Sequence, residues 1–187
     1  LDVNTGAITV ANDTLLDFET TNSFVLTVLV VDNGVPSLSD TATITITLND
    51  LNEAPVAVDQ TFTMLEDETA GFPVGNVGAS DPDAGQTLTY TFTAGNGGGG
   101  FAIDGGGNIT VSDPSGFEAT SQYVLTLDIM DNGGVPETTS ITVTIDLTEV
   151  NQDPVLVVPP GPGAIDELTT LSLTATATDA DLAAQTL

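Results

Sequence analysis

The sequence predicts an all-β protein built of tandem Greek-key β-sandwich repeats, each about 99 residues long. Three observations lead there. First, apolar and polar residues alternate with period two: Ala42, Ile44, Ile46 and Leu48 share one face of 40–48, and Thr41, Thr43, Thr45 and Thr47 the other. Second, no window shows a helical period with caps. Third, the chain repeats itself. TGAITV at 5–10 returns as GNITV at 107–111, DFET at 17–20 as GFEAT at 116–120, and NEAPV at 52–56 as NQDPV at 151–155. Likewise FVLTVLVVDNGVP at 24–36 returns as YVLTLDIMDNGGVP at 123–136, and ASDPDAGQTL at 79–88 as ATDADLAAQTL at 177–187. The chain then divides into the C-terminal half of one repeat (1–51), a complete repeat (52–150) and the N-terminal half of a third (151–187).

Taken in order, the first segment carries an apolar run at 24–31 and the alternating run at 40–48, two half-buried antiparallel strands with threonine on the exposed face. In the complete repeat, strands are expected near 55–65, 71–79, 87–94, 101–103 with 108–112, 121–130 and 138–148. Ile141, Val143, Ile145 and Leu147 alternate there with Thr142, Thr144 and Asp146. Glycines 95 and 97–100 supply a bend, while Asn33-Gly34 and Asn132-Gly133 supply turn chemistry before the last strand of their repeats. The joints at 47–58 and 147–158 run strand to strand through a few residues, so stiff connections are expected.

Charge narrows the function. The chain has 187 residues, 27 of them acidic, and no lysine, arginine or histidine. Nothing can neutralise phosphates or an anionic membrane surface, which excludes nucleic acid and electrostatic membrane binding. Every carboxylate must be met by water or by bound cations. Ca²⁺ fits best, because it is hard and takes about 6–8 oxygen ligands. An apolar fraction of 40% argues against disorder. The longest apolar run, 24–31, is far short of the roughly 20 residues that span a bilayer. Cysteine is absent, so disulfides play no part. The sequence starts without methionine and stops in mid-pattern, which suggests a piece of a longer array.

The acidic residues gather at the joints. Asp50, Asn52 and Glu53 precede Pro55, and Glu149, Asn151, Gln152 and Asp153 precede or abut Pro154. Glu19, Asp32, Asp81 and Asp83 recur at matching offsets as Glu118, Asp131, Asp179 and Asp181, and Asp17 stands two residues before Glu19. Carboxylates at i and i+2 fall on one side of an extended chain. Each joint so assembled offers oxygens for about two or three Ca²⁺ ions, bound at about 2.3–2.6 Å. Read singly, Asp81-Pro82-Asp83 is a solvated turn, and Asp131 before Asn132-Gly133 an ordinary turn former. An EF-hand reading of 81–85 fails because Phe92 stands at the twelfth position, where glutamate is needed. Catalysis is not expected: the acidic pairs repeat from domain to domain, and no His, Lys, Arg, Cys or Trp is present to build a pocket. Asn12-Asp13-Thr14 and Asn108-Ile109-Thr110 fit the N-glycosylation pattern.

LDVNTGAITV, LLDFET, FVLTVLVVDNGVPSLSDTATITITLNDLNEAPV and VGASDPDAG resemble, in order, successive signatures of cadherin repeats: L-D-x-E, the D-x-G-x-P loop, the junction D-x-N-(D/E)-x-P, and D-x-D. The resemblance covers nearly the whole chain. Its junction, NEAP rather than NDNAP, looks more like the repeats of large bacterial surface adhesins than those of animal receptors. The resemblance implies a cadherin/immunoglobulin-like sandwich with Ca²⁺ between repeats. At the first junction the ligands would be Asp17, Glu19, Asp50, Asn52, Glu53, Asp81, Asp83 and Asp131. At the second they would be Glu66, Glu118, Glu149, Asn151, Asp153, Asp179 and Asp181. Gly116 stands where the family has the aspartate of L-D-x-E, and Glu149-Val150-Asn151-Gln152 replaces D-x-N-(D/E), so weaker or sparser binding is expected there. The glutamate that the first junction needs from its own upstream half is not in this sequence.

The function expected is a calcium-stiffened extracellular structural or adhesion element at a cell surface. Its contacts would be with like chains or neighbouring repeats, or with a cell-surface protein or glycan. Two alternatives stay open: a filament subunit in which half-repeats complement one another between chains, and a glycan-binding β-sandwich module.

Overall fold

A computed structural model describes residues 2, 5–158, 160, 161, 167, 170, 172, 174–178 and 181. The fold is an all-β sandwich whose only helices, among the described residues, are two 3-10 turns, Asp13–Leu15 and Pro114–Ala119. β1 (Ser23–Val31) and β2 (Ser39–Thr47) form an antiparallel hairpin, with Ser23 opposite Thr47 and Val31 opposite Ser39. The apolar run and the alternating run of the first segment therefore pair with each other.

The central sandwich has a larger and a smaller sheet. β4 (Gln60–Leu65), β7 (Thr89–Ala94), β10 (Gln122–Met130) and β11 (Thr138–Thr148) form a four-stranded sheet in the order β4-β11-β10-β7. β4 runs parallel to β11, and the other neighbours are antiparallel. β5 (Pro73–Asn76), β8 (Phe101–Ile103) and β9 (Asn108–Val111) form the facing sheet, in the order β5-β9-β8. Along β10 and β11 every second residue points inward: Leu125, Leu127 and Ile129, then Ile141, Val143, Ile145 and Leu147, are all buried. Met64, Ile109, Val111 and Phe101 close the core from the other strands. Each such aliphatic side chain contributes roughly 1.5–3 kcal/mol on burial. Their threonine neighbours stay at least partly exposed, as the alternation predicts.

Two expected strands are each divided. The run at 55–65 becomes β3 (Val56–Ala57) and β4, separated by Val58 and Asp59. The run at 71–79 becomes β5 and β6 (Ala79–Ser80). β3 pairs with β6, whereas β4 joins β11, so the chain changes partner across Val58 and Asp59. Asp59 Oδ1 accepts the Thr142 N–H at 2.8 Å, which covers the β11 edge just before β4 begins. The inward face changes phase at the switch, from Pro55 and Ala57 to Gln60, Phe62 and Met64, and the unbroken apolar run at 54–58 hides that change in the sequence. The glycine bend also has a specific cause at Gly95, where φ is +82° and a Cβ would stand 2.1 Å from the Val124 carbonyl oxygen. Beside it the β7–β10 register shifts at Thr126/Leu127.

In the last segment β12 (Val155–Val157) pairs with β13 (Thr176–Thr178). The joints at 48–55 and 149–154 thus lie at the two ends of the central sandwich, where β2 and β11 leave off.

Candidate metal centre

The first joint is held by a short chain of hydrogen bonds that starts at Asn52. Its Nδ2 donates to Asp131 Oδ2 at 3.0 Å and to the Val135 carbonyl at 3.2 Å, and its Oδ1 accepts from Gln86 Nε2 at 2.6 Å. The same Gln86 Nε2 donates to Asp83 Oδ2 at 2.9 Å, which also accepts the Glu53 N–H at 3.0 Å. Asp81 Oδ1 accepts the Asp83 N–H at 2.9 Å, the local hydrogen bond that an Asp-Pro-Asp turn favours. One amide side chain from the joint therefore links the D-x-D turn of 81–83 to the loop of 131–135.

Oxygen ligands converge on this frame. One carboxylate oxygen each from Glu19, Asp50 and Asp83 lies within 4.8 Å of the other two. Oxygens bound to one Ca²⁺ at about 2.3–2.6 Å stand at most about 5 Å apart, so the three fit a single ion. Asp83 is buried, whereas Glu19 and Asp50 are exposed. Asp50, Asn52, Asp83, Ala84 and Gln86 line an adjoining recess of about 300 Å³. Asp81 Oδ2 is buried with no hydrogen-bond partner, a position that costs free energy unless a cation or water meets it.

Electrostatics report the same crowding. The Glu53 carboxyl is pushed above the ordinary glutamate range, first by desolvation, then by Glu19, Asp83, Asp17 and Asp50. Burial would raise Asp131 too, yet hydrogen bonds from the Gly133 N–H, the Asn52 amide and the Glu137 N–H outweigh it and hold that carboxyl low. Asp17 is held low by the Thr20 N–H and then by the Thr20 hydroxyl, at 2.8 and 3.0 Å. Both of its oxygens thus accept local hydrogen bonds, although its charge still reaches Glu53.

At the second joint the structure brings together Glu66, Glu118 and Asp181. Glu66 Oε1 accepts the Val150 N–H at 2.8 Å, Asp181 Oδ1 accepts the Gln152 N–H at 3.0 Å, and Glu118 Oε1 accepts from Gln152 Nε2. The remaining oxygens, Glu66 Oε2 and Glu118 Oε2, are buried without a hydrogen-bond partner. Glu118 is pushed up by desolvation first and by Glu66 second, against the lowering effect of the Gln152 hydrogen bond. Asn151 turns its amide to the Gln152 carbonyl at 3.3 Å. Glu149 and Asp153 are exposed. Asp179 lies outside the described residues.

Two contributors escaped the motif reading. Gln86 holds Asn52 and Asp83 together; its only sequence signal was the recurrence of QTL at 86–88 and 185–187. Gly133, read as turn chemistry, is also the space that Asn52 occupies: a Cβ there would stand 1.6 Å from Asn52 Oδ1.

Comparison with known proteins gives this arrangement its context. Residues 60–148 match the Cadherin domain family model. The chain is 35% identical over 159 residues to Protocadherin Fat 1 of Homo sapiens, covering 82% of this chain and 3% of that protein. It is 33% identical over 163 residues to Protein dachsous of Drosophila melanogaster, covering 82% and 4%. The chain thus spans a few hundredths of the length of these relatives. Among solved structures, protocadherin gamma B2 extracellular cadherin domains 1-5 match with TM-score 0.60 and 29% identity, over 89% of this chain and 34% of that one. Protocadherin gamma C5 EC1-3 matches with TM-score 0.58 and 28% identity, over 71% and 45%. The family is one of non-enzymatic adhesion domains, and this chain is not an enzyme. The relatives named here are animal proteins. The sandwich of residues 60–148 is a cadherin domain, set in a chain of cadherin-like repeats.

Proposed function

We propose that this chain is an extracellular adhesion element whose repeats are clamped by Ca²⁺ at the joints. The observation that carries the reading is the convergence of Glu19, Asp50 and Asp83 within 4.8 Å, in a chain without a single basic side chain. Glu19 precedes the joint, Asp50 lies in it and Asp83 follows it, so an ion they share ties all three stretches together. Asp17, Asn52, Glu53, Asp81 and Asp131 would complete the first site. Glu66, Glu118, Glu149, Asn151, Asp153, Asp179 and Asp181 would supply the second. The donor set fits a hard divalent ion: all oxygen, anionic, with buried unpartnered oxygens on Asp81, Glu66 and Glu118. When bound, the ion supplies charge neutralisation and a fixed angle between neighbours. The protein's own part is to hold the oxygens in place through Asn52, Gln86 and the backbone. The division into 1–51, 52–150 and 151–187 belongs to the same proposal.

Calorimetric titration with Ca²⁺ tests it. Extracellular calcium modules bind at about 10⁻⁴–10⁻³ M, and Asp83→Asn should weaken the first site by about tenfold or more, because it removes charge from a side chain that both ion and frame would use. Heat that is absent at millimolar Ca²⁺, or unchanged in Asp83→Asn, sinks the reading.

The NEAP spelling of 52–55 is what supports a bacterial-adhesin type of array, against relatives that are animal receptors. A filament assembled by complementation draws support from one observation: Val25, Leu29 and Val31, which share one face of β1, are exposed. On the hairpin's other side lies an apolar cleft lined by Ile8, Val10, Leu16, Phe24, Ile44 and Ile46. Sedimentation distinguishes the two, since complementation predicts association that grows with concentration and an array does not.

A further inference from the structure

The two joints match on one side and differ on the other. At the first, the Glu53 N–H donates to Asp83 Oδ2 at 3.0 Å; at the second, the Gln152 N–H donates to Asp181 Oδ1 at 3.0 Å. Gln152 and Asp181 occupy the repeat positions of Glu53 and Asp83, so this main-chain tie recurs. The side chains then diverge. Glu53 is a carboxylate among carboxylates, repelled by Glu19, Asp83, Asp17 and Asp50. Gln152 instead donates from Nε2 to Glu118 Oε1, and Glu118 is the repeat counterpart of Glu19. An ionised glutamate at this place has no hydrogen to donate, whereas a glutamine's amide nitrogen carries two.

Gln152 therefore reaches both ways. Its side chain holds Glu118 of the central sandwich, and its main chain holds Asp181 of the following segment. A second tie stands beside it: the Val150 N–H donates to Glu66 Oε1, and Glu66 is only 2% exposed. Gly116 in place of Asp17 removes a further negative charge from this joint. The Oε2 atoms of Glu66 and Glu118 are left buried and unpartnered, so oxygens remain for a cation without being the sole connection.

We infer that Gln152 is a metal-independent clasp. The second joint keeps its hold on the sandwich before it when Ca²⁺ is withdrawn, whereas the first, whose Asn52 and Glu53 hydrogen bonds run to the sandwich after it, does not; the residue after the junction asparagine, Glu53 or Gln152, decides which. For the first joint this rests on the calcium reading above; for the second it does not.

Hydrogen exchange of the Glu53 and Gln152 amides, corrected for intrinsic rates, tests the inference in the intact chain. In chelator the Gln152 amide should be protected about tenfold or more over that of Glu53, the scale of one hydrogen bond to a charged group. About 5 mM Ca²⁺, above the usual range for such modules, should close the gap. Gln152→Glu should lose protection in chelator and regain it with Ca²⁺. Glu53→Gln should gain it in chelator. Core amides such as those of Leu127 and Val143 report that each variant is folded. Equal exchange at the two joints in chelator, or no response to either exchange of residues, overturns the clasp. If Ca²⁺ leaves the first joint unchanged in every variant, the calcium reading fails instead, while Gln152→Glu against wild type in chelator still decides the clasp.

Discussion

Asn52 reaches Asp131 across the space left by Gly133. Gly133→Ala puts a methyl group where Asn52 Oδ1 now lies, so the Asn52–Asp131 and Gln86–Asn52 hydrogen bonds cannot both survive. Asp131 is 2% exposed and would lose a donor. The expected cost is about 1–3 kcal/mol, with weaker Ca²⁺ uptake at the first joint, read by thermal melts and calorimetry. A variant with wild-type stability and affinity would show that Asn52 is not held there. Asp104 provides a residue-scale test away from the joints. The Asn108 side chain, then the Asn108 and Gly106 N–H groups, hold its carboxyl below the ordinary range. A depressed folded value means stability that is present above the unfolded aspartate value of about 3.9 and lost as pH falls through the folded one. Asp104→Asn should therefore flatten the acid limb of stability against pH. Parallel curves for the two proteins would count against this.

At the scale of elements, the 3-10 turn Pro114–Ala119 couples the core to the second joint. Asp113 caps it by accepting the Ser115 N–H at 3.0 Å, and Phe117 anchors it. The Phe117 ring lies 5.3 Å from Phe101, stacked, and 5.6 Å from Tyr123, edge on. The next residue, Glu118, is thereby held at the joint. Phe117→Ala should cost about 3–5 kcal/mol, as for large aromatic deletions in cores. It should also weaken the contact of Glu118 with Gln152, seen as faster exchange of the Gln152 amide at a temperature where β10 and β11 remain protected. Loss of stability without any change at Gln152 would separate the turn from the joint.

For the whole molecule, a net charge of −27 with no internal cation makes the surroundings part of the structure. Monovalent salt screens charges beyond about 8 Å at physiological strength, but the joint oxygens lie closer than that. Salt should therefore relieve the general repulsion and leave the joints loose, whereas millimolar Ca²⁺ should stiffen them. Small-angle scattering in chelator, in chelator with added salt, and in Ca²⁺ should give three distinguishable profiles, the last the most rigid. Salt alone reproducing the Ca²⁺ profile would mean that screening, not ligation, sets the stiffness.

The all-β class, the strands and the acidic joint positions were legible because they are local: alternation reports a half-buried strand, and recurrence reports a shared plan. β10 and β11 fall within a residue or so of expectation for that reason. The division of 55–65 and 71–79 between sheets was not legible, since the inward face changes phase within an apolar run at 54–58 and beside the register shift at Pro73/Gly75. Nor were the Gly133 niche, the link through Gln86, or the clasp at Gln152. Asn52 and Asp131 are 79 residues apart in the chain and 3.0 Å apart in space. A sequence by itself specifies which groups must find counter-charge or a hydrogen-bond donor. Which groups meet is decided by strand topology and loop conformation, because a carboxylate acts over a few ångströms and only the tertiary structure sets distances at that scale.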